Sequence, residues 1–229
     1  MEKYKRVSLS KKIVLAFVLV MTLVFVGSVQ STSYAASNRA KNKKALAAYE
    51  KLLSKSTYKW SSMSSENVTK NFRFCVVDVN KDGVKDLLLT NDSACHASGY
   101  YKLLTYHKGK VKCILTGDNI GVYKKRGVVY TTFAGTGSYS AYYYKIKNGK
   151  AIEKISFKAT DTKEMAKPKI KHIAGKGAYK MYYYSCVVNG KEVSYKTYKK
   201  KMKKLLKTAK ESNLTYYDNT AENRATYIK

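Results

Sequence analysis

The sequence predicts an α+β domain: an antiparallel, tyrosine-rich β-meander or rolled sheet flanked by an N-terminal helix and one or two C-terminal helices. Two observations lead to this prediction. Residues 72–193 form short Tyr-, Val- and Ile-rich segments bounded by Gly or Asn-Gly, which is typical of β-strands. The segments before and after this region repeat apolar residues every three or four positions, which is typical of helices.

Residues 1–35 have the order of a secretory signal peptide. Five Lys/Arg and one Glu precede an apolar run over residues 13–29, and Ser33 and Ala35 are small residues at positions −3 and −1 of a cut after Ala35. We therefore expect a single exported domain over residues 36–229. An uncleaved membrane anchor is the alternative, because the apolar run reaches the short limit of a membrane span.

Three helices are predicted around the β region. The first covers residues 38–55, and the others cover about 195–211, after the N-cap Ser194, and 220–228, capped by Asn219 or Thr220. The 195–211 helix has a narrow apolar stripe and is otherwise rich in lysine, which favours a docking helix with a solvated face over a membrane-surface helix. The stripe consists of Tyr198, Met202, Leu205 and Ala209.

Three hairpins give the β region a weak repeat of about 40 residues. Their turns are Lys108-Gly109, Asn148-Gly149 and Asn189-Gly190, and Asn-Gly suits a two-residue turn because both residues accept positive φ. The period equals the length of a propeller blade. Three units are too few to close a propeller, so a rolled antiparallel sheet is the favoured arrangement.

The chain is strongly basic, with 45 Lys/Arg against 15 Asp/Glu. Removal of residues 1–35 takes away five Lys/Arg and one Glu and leaves a formal charge of +26. Only five residues are Arg, whereas readers of nucleic acid favour the planar guanidinium, so no nucleic-acid partner is expected. An exported, lysine-rich surface suits an anionic envelope polymer; a compositional bias that serves only solubility is the alternative.

Four cysteines fall in the exported part, at Cys75, Cys95, Cys113 and Cys186. An even number allows two disulfides in three pairings, and free thiols are the other possibility. A zinc set made of Cys95, His96, His107 and Cys113 is not supported, because its spacing matches no known zinc pattern.

The stretch "DVNKDGVKDLLLT", residues 78–90, predicts a calcium loop. Asp78, Asn80, Asp82 and Asp86 stand at positions 1, 3, 5 and 9, with Gly83 at the sharp turn. Three carboxylates within nine residues repel each other unless a cation is present. Position 12, where an EF-hand needs a bidentate Glu, is Leu89, and the flanking segments resemble strands rather than helices.

The pattern D-x-N-x-D-G-x-x-D-L between strands resembles the calcium loops of FG-GAP and VCBS-type repeats, which occur in integrin-type propellers and many bacterial exported proteins. This resemblance implies that the ligands are Asp78, Asn80, Asp82, the Val84 carbonyl and Asp86. One copy does not make a propeller array. More loosely, the whole chain looks like uncharacterised exported proteins of low-GC Gram-positive bacteria, which implies no particular activity.

The predicted function is an exported, calcium-stabilised binding or envelope-associated domain without catalysis. The loop contains no His, the three histidines His96, His107 and His172 are scattered, and residues 135–140 lack the nucleophile-elbow pattern. We expect anionic cell-wall polymers, carbohydrate or a surface protein as partner, and no membrane after signal cleavage. A hydrolase with a His–acid or Cys–His cluster and a membrane-tethered accessory protein are the alternatives.

Overall fold

The computed structural model describes residues 37–60, 66–167 and 169–229. The chain divides into two units, Met1–Lys41 and Asn42–Lys229. In the first unit the described residues, 37–41, are helical. The predicted signal peptide, with its apolar run, lies outside the described residues. No helix within the described part of the chain is long and apolar enough to cross a membrane.

The second unit combines helices with antiparallel strands, which confirms the predicted α+β class. Its helices are residues 42–53 (α1), Lys163–Ala166 (α2), Tyr195–Leu206 (α3) and Ala221–Tyr227 (α4). Two short strands, Thr57–Lys59 (β1) and Glu66–Val68 (β2), pair with each other in the polar stretch between α1 and the β region. The tyrosine-rich meander is divided between two larger sheets.

The first of these sheets contains the two strands on either side of the acidic loop. Its order is β14-β3-β4-β5-β6. The strands are Phe72–Val77 (β3), Asp86–Asn91 (β4), Tyr101–His107 (β5), Lys110–Gly117 (β6) and Tyr217–Asp218 (β14). The last strand lies outside the predicted β region and pairs with β3 through Tyr217 and Phe74.

Alternation of side chains buries both faces of this five-stranded sheet. Phe72 and Phe74 pack on one side with Tyr49 of α1, whereas Cys75 and Val77 pack on the other side against the second large sheet. The buried Trp60 closes the α1 side, where its indole N–H donates to the carbonyl oxygen of Gly99 at 2.7 Å. The strands next to the acidic loop are therefore anchored on two sides.

The second large sheet has the order β11-β12-β10-β9-β8-β7, and β13 pairs with β12. Its strands are Asn119–Tyr123 (β7), Val128–Gly135 (β8), Ser138–Lys147 (β9), Lys150–Thr160 (β10), His172–Ala174 (β11), Met181–Val188 (β12) and Lys191–Glu192 (β13). One face meets the first sheet through Ile120, Val122, Val129 and Ile146. The opposite face of β9 turns Ala141 toward helix α3.

The hairpin turns have the backbone that their residues predict. Asn148 and Gly149 have φ of 52° and 65°, and Asn189 and Gly190 have φ of 49° and 76°, as a two-residue turn with two positive φ values requires. The Lys108-Gly109 hairpin belongs to the first large sheet, whereas the other two belong to the second. The 40-residue spacing therefore does not mark a structural repeat.

The C-terminal segment joins both large sheets. Ser194 caps α3, since its hydroxyl accepts from the Thr197 N–H, but the helix ends at Leu206 rather than near residue 211. Residues beyond it leave the helix and cross β7, where the Ser212 N–H donates to the Val122 carbonyl oxygen at 2.8 Å. The chain then forms β14 and enters α4, whose N-cap is Thr220.

Candidate functional site

The acidic loop connects two strands that pair directly. Val77 at the end of β3 is in register with Asp86 at the start of β4, so residues 78–85 form the connection between them. Lys81 and Gly83 have φ of 64° and 81°, which lets the chain reverse within a few residues. The sequence predicted the turn at Gly83; the left-handed conformation of Lys81 was not anticipated.

Asp78 organises the first half of the loop. One carboxylate oxygen accepts from the Lys81 N–H at 2.7 Å and from the Asp82 N–H at 3.2 Å. The other oxygen accepts from the Gly83 N–H at 2.9 Å. Three backbone donors thus converge on this carboxylate, which holds the loop closed around it.

Asn80 and Asp82 contact each other across the loop. The Asn80 amide donates to Asp82 Oδ2 at 2.8 Å, and Asp82 Oδ1 accepts from the Val84 N–H at 2.9 Å. The structure therefore brings Asp78, Asn80 and Asp82 into one hydrogen-bonded loop. Val84 belongs to the same network through its N–H group.

Asp86 lies beneath the loop and differs from the other acids in its burial. Its side chain is only 2% exposed, and Oδ2 accepts from the Val79 N–H at 3.2 Å. Burial raises the pKa of Asp86 to about 7; hydrogen bonds from Thr105 and Val79 oppose the rise, and the charges of Asp82 and Asp78 add to it. The three carboxylates are thus close enough to interact electrostatically.

Two side chains of helix α1 hold the backbone of Lys85, the last residue of the loop. The Lys85 N–H donates to Asn42 Oδ1 at 2.8 Å, and the Tyr49 hydroxyl donates to the Lys85 carbonyl oxygen at 3.0 Å. Asn42 and Tyr49 are seven residues, or two helical turns, apart and therefore share a face of α1. Helical periodicity alone does not predict this clamp of two hydrogen bonds, because it depends on how α1 packs against the loop.

The second large sheet also approaches the loop. Gly127, in the turn before β8, has φ of 54°, and a Cβ atom there would lie 3.3 Å from the carbonyl oxygen of Asn80. A larger residue at this position would be strained and would press on the loop. The loop is thus bordered by α1 on one side and by this glycine turn on another.

The oxygen groups of the loop are of the chemical type that calcium prefers as ligands. Asp78, Asn80, Asp82, Asp86 and the Val84 carbonyl supply hard oxygen atoms, and a carboxylate oxygen that accepts one hydrogen bond keeps a second lone pair. The buried Asp86, near two other acids, is a position where a cation would offset repulsion. Among the described residues, no three His, Cys, Asp or Glu side chains lie together in metal-binding range.

The described structure pairs one histidine with a mostly buried carboxylate outside the loop. His96 Nδ1 lies 3.0 Å from Asp118 Oδ2, which also accepts from the Ala134 N–H at 2.9 Å. A hydrolase would also need a nucleophile aligned with this histidine. No Ser, Thr or Cys side chain of the described residues is hydrogen-bonded to His96. His172 stacks on Tyr195 with ring centroids 3.8 Å apart and makes no such pair.

The four cysteines are free thiols in this structure. Cys75 and Cys186 are buried, and Cys95 and Cys113 are exposed. Burial raises the pKa of the Cys75 thiol to about 11. Hydrogen bonds from Ser98 lower the pKa of Cys95. The cysteine count left open two disulfides or free thiols, and the structure has free thiols.

A shallow cleft of about 480 Å³ lies where the segment after α3 crosses β7. Aromatic, amide, hydroxyl and carboxylate groups line it, with no Lys or His among its described residues: Tyr101, Asn119, Ile120, Glu211, Ser212, Asn213, Leu214 and Tyr216. The rings of Tyr101 and Tyr216 meet edge to face at 6.0 Å. No residue of the acidic loop lines this cleft.

Comparison of the chain with protein-family models, with curated proteins and with solved structures finds no match.

Proposed function

We propose that this protein is an exported, non-catalytic domain that associates with anionic polymers of the cell envelope and is stabilised by calcium at residues 78–86. The observation that carries the proposal is that its many lysines form no ion pairs within the described structure. The chain has 36 lysines from residue 37 onward. The ion pairs within the described structure involve Arg73, His96 and Arg224, and none of them uses a lysine.

Unpaired lysines favour a role in binding over a role in folding. Lys102 is buried and donates to Thr116 Oγ1 at 3.3 Å, but most of the lysines are exposed. A solvated ammonium group contributes little stability by itself. A surface with this excess of one sign attracts polyanions and destabilises the compact state through self-repulsion. Association with an anionic polymer relieves that repulsion.

Calcium has a structural role in this proposal. Asp78, Asn80, Asp82, Asp86 and the Val84 carbonyl are the groups that would hold it, and bound calcium would supply positive charge among the loop acids. The paired strands β3 and β4 and the clamp from α1 fix both ends of the loop. The ion would therefore lock a connection whose ends are already positioned.

Retention on isolated cell walls tests the association. Exposed charges are screened over about 8 Å at physiological ionic strength, so retention of the protein should fall steeply from low to high salt. Retention that does not change with salt would contradict an electrostatic association and indicate a specific pocket, such as the cleft near Tyr101. Absence of retention at low salt would exclude the proposed function.

Mass spectrometry of the exported protein tests the signal-peptide prediction. We expect an N-terminus at Ala36 in the soluble, exported fraction. An intact Met1 in the membrane fraction would instead support the membrane-tethered accessory protein.

A further inference from the structure

Helix α3 places its apolar side chains against the second large sheet. Tyr198 is buried, and its ring centroid lies 5.7 Å from that of Phe157 on β10. Met202 and Leu205 pack against the same cluster. The apolar stripe of the helix is thus packed against the second large sheet. The opposite face of the helix therefore points outward.

The outward face carries a row of lysines. Lys196, Lys200 and Lys203 follow each other at steps of four and three residues, which places them on the side of α3 opposite Tyr198. Lys207 follows directly after the helix, with φ of 53°, and extends the row at its C-terminal end. All four are exposed. Within the helix, neighbours at these spacings have Cβ atoms about 5–6 Å apart, so the row is a closely spaced line of positive charges.

This row has no acidic neighbour within its helix. The sequence of α3, YKTYKKKMKKLL, contains no Asp or Glu, and no lysine in it forms an ion pair with another described residue. Like charges three or four residues apart destabilise a helix. In a helix whose only function was docking, a few carboxylates would relieve this repulsion. The absence of carboxylates from α3 therefore favours an external anion as the partner of its lysines.

We propose that the row Lys196, Lys200, Lys203 and Lys207 is the binding face for a linear phosphodiester polymer with one negative charge per short repeat. This inference rests on the proposed association with envelope polymers and assigns it to one helix. Lysine suits such a chain because a compact ammonium group neutralises phosphate without demanding a fixed bidentate geometry.

The packing of α3 favours a polymer over a membrane surface. A membrane-surface helix places its apolar face in the lipid, but that face of α3 is already covered by β10 and β12. Single-stranded nucleic acid is normally held by aromatic stacking as well as charge, and the row itself contains no aromatic residue.

Binding to poly(glycerol phosphate) tests the assignment with two variants of equal charge. The test variant changes the row (K196Q, K200Q, K203Q and K207Q). The control changes four exposed lysines near α1 and β1 (K51Q, K55Q, K59Q and K70Q). Each loses four positive charges, and Gln has nearly the helix propensity of Lys. Melting temperatures without polymer verify that both variants fold.

We expect the row variant to bind at least tenfold more weakly than the control at low salt. The slope of log K against log salt should fall by about 3 for the row variant, since each lost phosphate contact changes it by about 0.7, and by less than one for the control. Equal weakening by both variants would overturn the assignment to α3 while leaving the proposed function intact. Failure of the unmodified protein to bind would overturn the proposed function itself.

Two further probes separate the polymer from other anions. Phosphatidylglycerol vesicles present the same headgroup chemistry on a bilayer, and an oligothymidine presents phosphodiesters with bases. Weaker row-dependent binding to both than to poly(glycerol phosphate) supports the proposal. Row-dependent binding to either that equals or exceeds binding to the polymer would overturn it in favour of a membrane surface or a nucleic acid.

Discussion

The hydroxyl of Tyr49 donates a hydrogen bond to the carbonyl oxygen of Lys85 at 3.0 Å, which joins helix α1 to the end of the acidic loop. Tyr49 is fully buried, and burial raises the pKa of its hydroxyl well above the usual value. The group therefore stays protonated and remains a donor. Together with Asn42, it makes the position of the loop depend on a helix more than thirty residues earlier in the chain.

Changing Tyr49 to Phe should destabilise the protein by about 1 kcal/mol, because the Lys85 carbonyl loses its donor while the ring stays in place. The stabilisation by calcium should also shrink, since the end of the loop is held less firmly. Chemical denaturation with and without calcium measures both effects.

Tyr58→Phe is the matched control for this change. Its ring packs against Trp60 and Phe72 in the same cluster, and it has no described hydrogen bond comparable to that of Tyr49. We expect a smaller change in stability and an unchanged effect of calcium. Equal behaviour of the two variants would show that the clamp does not contribute.

Asn219 links three parts of the chain. Its substitution should therefore destabilise the protein more than the loss of a helix cap does. Its side-chain amide donates to the carbonyl oxygens of Leu53 and Thr69, both at 2.9 Å, and its Oδ1 accepts from Arg224 at 3.0 Å. Asn219→Ala should cost roughly 2–4 kcal/mol, because it leaves two buried carbonyls without donors.

Thr220→Ala provides the comparison for Asn219→Ala. Thr220 caps α4 by accepting from the Asn223 N–H at 3.1 Å, and loss of a cap costs about 1 kcal/mol. Urea denaturation of both variants gives the ranking. A smaller loss for Asn219→Ala than for Thr220→Ala would contradict the structural role assigned to Asn219.

The contrast between these two residues shows what the sequence could predict. A helix cap depends only on residues within one turn. The local sequence could therefore identify Ser194 as the N-cap of α3 and limit the N-cap of α4 to Asn219 or Thr220. The Asn-Gly turns were predicted for the same reason. The bonds from Asn219 to Leu53 and Thr69 join positions 166 and 150 residues apart, and no periodic pattern encodes them.

The candidate site divides in the same way. The spacing of Asp78, Asn80 and Asp82 predicted one loop because they are close in sequence. The clamp from Asn42 and Tyr49 depends on how α1 docks and was missed. Likewise, α3 ends at Leu206 rather than near residue 211, and Lys207, the next residue, has φ of 53°. The Ser212 N–H then donates to Val122 of β7, a long-range contact that local propensity does not predict.

Thiol titration should distinguish two pairs of cysteines. Cys95 and Cys113 are exposed and should react with a thiol reagent in the native protein, Cys95 readily because hydrogen bonds from Ser98 lower its pKa. Cys75 and Cys186 should react only after unfolding, because both are buried. Two rapid equivalents and two more in denaturant are expected; fewer than four in denaturant without reductant would reveal a disulfide.

Calcium-dependent stability tests the central claim most directly. With an affinity of roughly 10⁻⁴ to 10⁻³ M, millimolar calcium should add about 0.4 to 1.4 kcal/mol to the free energy of unfolding and raise the melting temperature by a few degrees. EDTA should remove the gain, and magnesium should replace calcium poorly because it retains its waters. The exposed Asp92, which pairs with Arg73 at 2.9 Å outside the loop, provides a control of equal charge.

The decisive measurement is the melting temperature of the unmodified protein, Asp82→Ala and Asp92→Ala, each in calcium and in EDTA. The account predicts a calcium-dependent rise for the unmodified protein and for Asp92→Ala, and none for Asp82→Ala, whose loop has lost one of its proposed oxygen ligands. Identical melting curves for the unmodified protein in calcium and in EDTA would contradict the account and leave residues 78–86 as a hydrogen-bonded turn.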